Sequence, residues 1–410
     1  MSLFATMRAP RTIVFGSGQR HAVAGYARAL GQRALIVTDD RMGASVELAA
    51  MIDELGVAGV TSAVFDHTLP EVPLDCIEQC VAFGRGFGPD LVIGLGGGSC
   101  LDMAKVTAIL LAHGGSPRDY FGEFKVPGPV LPLIAVPTTA GTGSEATPVA
   151  VVADSERLLK VGIASPQIMP LVAICDPELT LSAPPGLTAI AGADALTHAI
   201  EALTAGPRAV DADTSHAHVF LGKNAFSDGH AREAIVHLSR GLQRAVENSQ
   251  DLAARESVMY GALLAGLAFG TAGTAAAHAI QYPVGALTKT PHGAGVACLM
   301  PYAMSFNLSH ASASMAEVAM AMGVAEAADT ASGNAERAIV AVETLFAAIG
   351  IPPDLKALGL RQDQLDWTAE QSLGAARLVK NNPRPLDLAA MQAIVGAAFA
   401  GDRRRLSSQE

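Results

Sequence analysis

Two observations predict a chain of two parts, an α/β half with a mainly parallel sheet followed by an all-helical half. Up to about residue 180, short apolar runs alternate with helix-spaced segments. Beyond that point Ala-rich segments with helical spacing dominate and strand-like runs nearly vanish. Strand–helix–strand alternation implies parallel strands covered by helices. A length of 410 residues also suits two domains better than one core. The division is expected at 1–180 and 181–410.

The strands are expected in RTIVFGSG (11–18), RALIVTDD (33–40), TSAVFDH (61–67), PDLVIGLGG (89–97), PLIAVPTT (132–139) and LVAICDPE (171–178). Each is rich in Val, Ile or Leu, and most stop at Gly, Asp or Pro. Helical stretches at 19–31, 43–55, 75–86 and 100–113 lie between several of them. In the second half the helical segments are 187–203, 226–247, 251–280, 311–322, 333–349, 367–380 and 387–400. Residues 205–223, AGPRAVDADTSHAHVFLGK, are polar and irregular and read as a surface excursion. The most apolar window, 262–280, approaches the length of a membrane span. Its bulk is Ala, Gly and Thr, so a buried core helix is expected instead.

Half of the residues are hydrophobic and 16% are charged, a composition that can bury a large core. A net charge of −11 excludes bulk attraction to nucleic acid or to an anionic membrane, both of which need clustered Lys and Arg. The one basic run, Arg403–Arg405, reads as a solvated tail. The five cysteines, Cys76, Cys80, Cys100, Cys175 and Cys298, contain no CxxC pair. Free thiols in a reducing, cytoplasmic setting are expected. The N-terminal stretch shows no basic segment followed by a long apolar one, so no signal peptide is expected.

In open parallel sheets, ligands bind beyond the carboxyl ends of strands. Three turns leave strands here with glycine and hydroxyl residues. Gly16-Ser17-Gly18 lacks the third glycine of a dinucleotide fingerprint, since His21 stands there. About twenty residues on, Asp39 either accepts hydrogen bonds from an adenosine ribose or simply forms the turn. The second turn, GLGGGSCLDMAK (94–105), sets Gly96, Gly97, Gly98 and Ser99 between a buried strand and a helix. Missing Cβ atoms let backbone N–H groups approach a phosphate, the helix dipole adds to the attraction, and Asp102 can cap the helix. The third, PTTAGTGSEAT (137–147), supplies Thr138, Thr139, Thr142 and Ser144 for a ribose, a phosphate or a nicotinamide amide. KTPHG (289–293) follows no glycine-rich loop and is not a P-loop.

Most of the eleven histidines stand in no partner pattern. Asp194 and His198, four apart in AGADALTHAIEA (191–202), share one helix face. Such a pair is either half of a metal site or an ordinary intrahelical hydrogen bond. His278 closes another apolar helix, and His292 follows just after Pro291. An imidazole buried among Ala and Gly is costly without a partner. One carboxylate and three imidazoles suit Fe²⁺ or Zn²⁺.

Taken together, GGGSCLDMAK, PTTAGTGSE, KVGIASPQIMPLVAICDPELTLSAPP, GADALTHAIEA and HAIQYPVGALTKTPHG resemble the iron-dependent (group III) alcohol dehydrogenases, related in fold to glycerol dehydrogenase and dehydroquinate synthase. The resemblance runs from about Arg11 to Phe399. It implies a Rossmann-like dinucleotide-binding domain and a helical metal- and substrate-binding domain, with NAD as cofactor. Gly96, Gly97, Gly98 and Ser99 would meet the pyrophosphate, with Asp102 in the same motif. Thr138, Thr139 and Thr142 would lie along pyrophosphate, ribose and nicotinamide, and Lys160 would contact the nicotinamide ribose. Asp39 matches the adenosine-ribose position and argues for NAD over NADP. Asp194, His198, His278 and His292 match the metal ligands, for Fe²⁺ with Zn²⁺ as a competitor. His278 would thereby serve catalysis directly. A small alcohol or aldehyde is the implied substrate and a homodimer the implied assembly.

One position departs from the resemblance. Many members carry a second histidine four residues after the third ligand, implicated in proton transfer; here it is Tyr282. A phenol, with an ordinary pKa near ~10 against ~6.5 for imidazole, donates a hydrogen bond but is a poor base at neutral pH. Tyr282 therefore either shapes the pocket or titrates under the influence of a nearby cation. Maleylacetate reductase shares the fold and NAD use, and Asn382-Pro383-Arg384-Pro385 resembles it. Its metal-free chemistry disagrees with a full ligand set. A lyase of the dehydroquinate synthase type would need a Lys/Arg cluster that the helical half's motifs lack. A non-catalytic NAD-binding assembly protein would be favoured by a lost ligand, and none is lost.

Overall fold

The computed structural model describes residues 3–156 and 160–406. The chain divides into two compact units, one of residues 8–182 with Ser215–Val219, the other of residues 183–214 and 220 onward with the segment ending at Met7. The Ala225 N–H donates to the Phe4 carbonyl (3.3 Å). That bond ties residues 3–7 to the helical unit, although a division at 1–180 assigns them to the other.

Among the described residues the strands are β1 (Thr12–Phe15), β2 (Arg33–Val37), β3 (Thr61–Phe65), β4 (Leu91–Gly96), β5 (Gly122–Glu123), β6 (Leu133–Pro137), β7 (Val149–Val152), β8 (Val161–Ala164) and β9 (Val172–Cys175). Six of them form one sheet in the order β1-β9-β6-β4-β2-β3, and every pairing in it is parallel. These are the six runs expected from the sequence. The helices of this unit are α1 (Val23–Leu30), α2 (Asp40–Gly43), α3 (Val46–Val57), α4 (Leu74–Phe87) and α5 (Gly98–His113). In β2, Leu35 and Val37 pack with Ile77, Cys80 and Val81 of α4 and with Met103 and Ile109 of α5. Ala34 and Ile36 pack on the other face with Val23 and Ala27 of α1 and Leu48, Met51 and Leu55 of α3. Burial on both faces is why these strands read as continuous apolar runs rather than alternating ones.

The chain leaves β2 for the edge strand β3, then returns to β4 on the other side of β2. The reversal falls between the carboxyl ends of β2 and β4, where open α/β sheets bind ligands. A second sheet, β5-β8-β7, was not expected. Its strands of two to four residues are too short to show a period. Tertiary bonds hold β7 instead: Val151 N donates to Asp102 Oδ2 (2.9 Å), and Lys105 Nζ donates to the Val149 carbonyl (2.6 Å).

The second unit contains α6 (Pro185–Thr204), α8 (Ala225–Glu247), α9 (Leu252–Ala272), α10 (Ala276–Thr288), α11 (His292–Met322), α12 (Ala331–Ala348), α13 (Leu365–Ser372), α14 (Ala376–Asn381) and α15 (Leu388–Ala400), while the short α7 (Thr214–Ala217) straddles the division. Long, Ala-rich helices with interior glycines pack closely; α6 lies against α8, α9 and α11. By length and composition α9 could cross a membrane, but most of its residues are buried against its neighbours.

The sequence reading of this unit needs four corrections. The 251–280 segment is two helices, parted at Gly273 (φ 85°) and Ala275. The 205–223 segment is no surface excursion throughout, because Val219, Phe220 and Leu221 are fully buried. The helix expected at 311–322 follows a kink at Ala311 (φ −130°), but the helical run from His292 up to that kink was missed, its Pro301 lacking the N–H that a helix interior uses. Arg403 is not part of a solvated tail, since it pairs with Glu336 (2.5 Å) and Glu343 (2.9 Å).

Candidate functional site

α6 carries Asp194, His198 and Glu201 at positions i, i+4 and i+7, which a helix aligns in one stripe. α10 starts only after the break at 273–275, so His278 stands in the first turn of a new helix, not at the end of an old one. The first N–H groups of a helix have no partner within it. Two of them here, on Ala275 and Ala277, donate to the Glu201 carboxylate at 2.8 Å each. His278 Nδ1 lies 2.6 Å from Glu201 Oε2. His292 opens α11, with Pro291 as its non-helical N-cap.

These elements bring one donor atom each of Asp194, His278 and His292 within 4.8 Å of one another. That proximity lets the three donors face a single ion. His198 stands outside that trio but beside it. Its Nε2 is 3.8 Å from Asp194 Oδ1, and its ring stacks between Phe269 (4.1 Å) and His278 (4.6 Å). His278 Nε2 and Asp194 Oδ1 are buried 3.6 Å apart, and neither has a hydrogen-bond partner. Burial acts to lower the pKa of His278, yet Glu201 and Asp194 hold it up near 9. Burial acts to raise Asp194, yet His198, His278 and His292 keep it well below the usual carboxylate range. Two unbonded buried donor atoms in so polarised a site fit a bound cation.

In the α/β unit, Asp39 follows β2 and caps α2, accepting from Met42 N (2.8 Å) with Oδ1. The turn-forming reading is therefore satisfied, and Oδ2 lies 3.8 Å from the Cys100 thiol. Gly96 has φ 148°, and a Cβ there would meet Cys100 Sγ at 2.5 Å. A Cβ on Gly98 would lie 2.6 Å from Thr142 Cγ2. Part of the glycine requirement thus comes from seating α5 against the loop after β6, while Gly97 opens α5 as its N-cap beside Thr139. Thr138 N donates to the Gly96 carbonyl (2.9 Å), and the buried Thr138 hydroxyl has no partner. Ser99 Oγ accepts from Glu71 N (3.3 Å), and Lys160 Nζ pairs with Glu71 (2.7 Å).

Asp102 does not cap α5. It sits in the second turn, one oxygen accepting from Ser144 Oγ (2.6 Å) and the other from Val151 N. Lys105, one turn on, is fully buried and donates to the carbonyls of Ser144 (2.7 Å), Thr147 (2.9 Å) and Val149, and to Ser144 Oγ (2.8 Å). Burial lowers its pKa to about 8 and raises that of Asp102, each opposed by the other's charge. Both side chains hold the threonine loop from below.

The profile of iron-containing alcohol dehydrogenases matches residues 10–177, and that of the C-terminal part of the Fe-containing alcohol dehydrogenase family matches residues 188–399. The chain belongs to the iron-containing alcohol dehydrogenase family. It is 37% identical over 376 residues to long-chain-alcohol dehydrogenase 1 of Geobacillus thermodenitrificans, covering 91% of each chain. It is 34% identical to the NAD-dependent methanol dehydrogenase of Bacillus methanolicus, over 92% of this chain and 94% of that one. Among solved structures, a 1,3-propanediol oxidoreductase superposes with a TM-score of 0.90 at 32% identity, over 97% of this chain and all of that one. Membership makes this iron-containing alcohol dehydrogenase an oxidoreductase acting on CH–OH groups.

Within this alcohol dehydrogenase, Tyr282 lies one turn beyond His278 and its ring stacks over His292 (centroids 6.3 Å apart). Burial raises its phenol pKa, with Glu201 and Asp194 adding and Arg377 opposing. At neutral pH it is a hydrogen-bond donor. Tyr282→His should introduce a group titrating near ~6.5 and change the pH profile of kcat/KM between pH 5 and 8. A profile superimposable on that of the wild type would leave Tyr282 as packing.

Glu201 and Lys105 were missed in the sequence. A signal existed for the first, because Glu201 continues the Asp194–His198 stripe by one turn. Lys105 gave none, since its acceptors lie about forty residues away. The Asn382–Pro385 segment proves structural in this alcohol dehydrogenase: Asn382 exchanges hydrogen bonds with Asn307, and Arg384 donates to the Phe306 carbonyl (3.0 Å). Its resemblance to maleylacetate reductase therefore says nothing about substrate.

Proposed function

We propose that this protein is a metal-dependent, NAD(H)-linked alcohol dehydrogenase and aldehyde reductase, moving a hydride between the carbinol carbon of a small alcohol and C4 of nicotinamide. The observation that carries the reading is the unbonded pair, Asp194 Oδ1 and His278 Nε2, buried beside His198 and His292 in a chain of this family. Those four residues would hold Fe²⁺, with Zn²⁺ able to compete because it binds N/O donors more tightly. A divalent ion there supplies Lewis acidity to the substrate oxygen.

The chain's own residues supply the rest. The N-terminus of α5 and the Gly96–Ser99 turn would receive the pyrophosphate. Thr138, Thr139, Thr142 and Lys160 would orient ribose and nicotinamide. The Asp39 carboxylate would accept from a ribose 2′-hydroxyl and repel a 2′-phosphate, favouring NAD; the Bacillus methanolicus relative is itself named NAD-dependent. Tyr282 would donate a hydrogen bond beside His292. We further propose a cytoplasmic homodimer: the five cysteines are free, which suits a reducing compartment, and light scattering would read the assembly.

The test is NADH absorbance over a panel of alcohols, diols and aldehydes, with NADPH in parallel. Metal-dependent turnover of at least one alcohol–aldehyde pair, faster with NADH, is expected. Full activity after complete removal of metal would sink the metal-dependent reading, and equal rates with NADPH would sink the role given to Asp39.

A further inference from the structure

We infer that Glu201 is a positioning residue that fixes His278 with Nδ1 as hydrogen-bond donor and Nε2 as ligand atom, and so sets how tightly the site holds a divalent cation. The inference rests on the metal-site reading above. Glu201 is 2% exposed, and three groups converge on its carboxylate: Ala275 N, Ala277 N and His278 Nδ1. The two N–H groups can only donate, so a two-oxygen acceptor answers both at once. It also draws the Nδ1 proton to its own side of the ring. Once a cation replaces the second proton, Nε2 is the nitrogen left to ligate it, the atom that lies 3.6 Å from Asp194 Oδ1 without a hydrogen-bond partner.

The bracket is stiff because one helix forms it. Asp194 and Glu201 are seven residues apart on α6, two turns along the same stripe, so α6 grips the two ends of the imidazole with two carboxylates. The stacked His198 ring comes from the turn between them. The bonds to Ala275 and Ala277 fix the start of α10 on α6, so the backbone bearing His278 is held as well as its ring. Carboxylates that orient metal-bound histidines in this way strengthen metal binding. A glutamine cannot substitute, because its NH₂ would face N–H donors.

The test uses the full chain stripped of metal, with Co²⁺ as probe, followed by its visible absorption and by competition with a chelator. Glu201→Gln should weaken Co²⁺ binding about 10–100-fold, and Glu201→Asp, which keeps two oxygens one methylene short, should fall between. NADH binding should stay as in the wild type. A variant with a lower unfolding temperature but unchanged Co²⁺ affinity would make Glu201 a helix cap only and overturn the inference. Should Glu201→Gln fail to fold, Glu201→Asp decides by the same two readouts. No Co²⁺ binding by the wild type would overturn the metal-site reading itself.

Discussion

Replacing His278 with alanine is expected to abolish cation retention and reduce turnover by at least about a thousandfold. Lewis-acid stabilisation contributes several kcal/mol, and each ~1.36 kcal/mol is a factor of ten in rate. The variant removes one of the four proposed donors and also strips Glu201 of its side-chain partner, leaving a buried carboxylate held by Ala275 N and Ala277 N. Breaking a buried charged pair from one side costs about 3–5 kcal/mol, so a fall in unfolding temperature should accompany the loss of metal. His292→Ala separates the two effects. His292 is only half-buried and opens α11 without a capping side chain, so its loss should spare the fold more and remove the metal nonetheless. Metal content by mass spectrometry and NADH-linked rates read both variants. Wild-type turnover from a preparation of His278→Ala shown to hold no metal would sink the proposed mechanism.

Lys105→Met should be the most damaging single change in the α/β unit. The ammonium shares its three protons among three carbonyls and the Ser144 hydroxyl and stands 3.9 Å from Asp102, buried from water. Methionine fills the space but donates nothing. The expected cost is about 3–5 kcal/mol, or roughly 6–20 °C in Tm for a domain of this size. NADH affinity should fall as well, because Ser144, Thr147 and Val149 anchor the loop that carries Thr138, Thr139 and Thr142. Adding Asp102→Asn should recover part of the loss, since it removes the charge left unpaired. Calorimetry of the three variants checks this. A loss below about 1 kcal/mol in Lys105→Met would mean that water or a shifted side chain replaces the ammonium.

The elements most legible in the sequence were those whose signal is local. The parallel strands announced themselves because burial on both faces selects unbroken apolar runs, as in Leu91–Gly96. The stripe Asp194–His198 was legible because helix geometry alone puts i and i+4 together. The break before His278 was not. Gly273, Thr274 and Ala275 lie in a run of small residues, and distant groups hold the break: Glu201 accepts from Ala275 N and Ala277 N, and Asn381 Nδ2 donates to the Thr274 carbonyl (3.1 Å). Asp102 misled for the same reason. A carboxylate near a helix start reads as a cap, yet Ser144 and Val151, more than forty residues on, claim both its oxygens.

Residue types and spacings were thus enough to expect a cofactor half and a helical half, and the resemblance they support added four candidate donors and one departing tyrosine. Each of those is a property of a segment, and segments obey periods that one chain records. Tertiary structure alone decided which nitrogen of His278 faces the other donors, which carboxylate fixes it, and why a lysine is buried under the threonine loop. Those depend on groups tens of residues apart whose hydrogen bonds form only when water is excluded, and no local period encodes such a meeting.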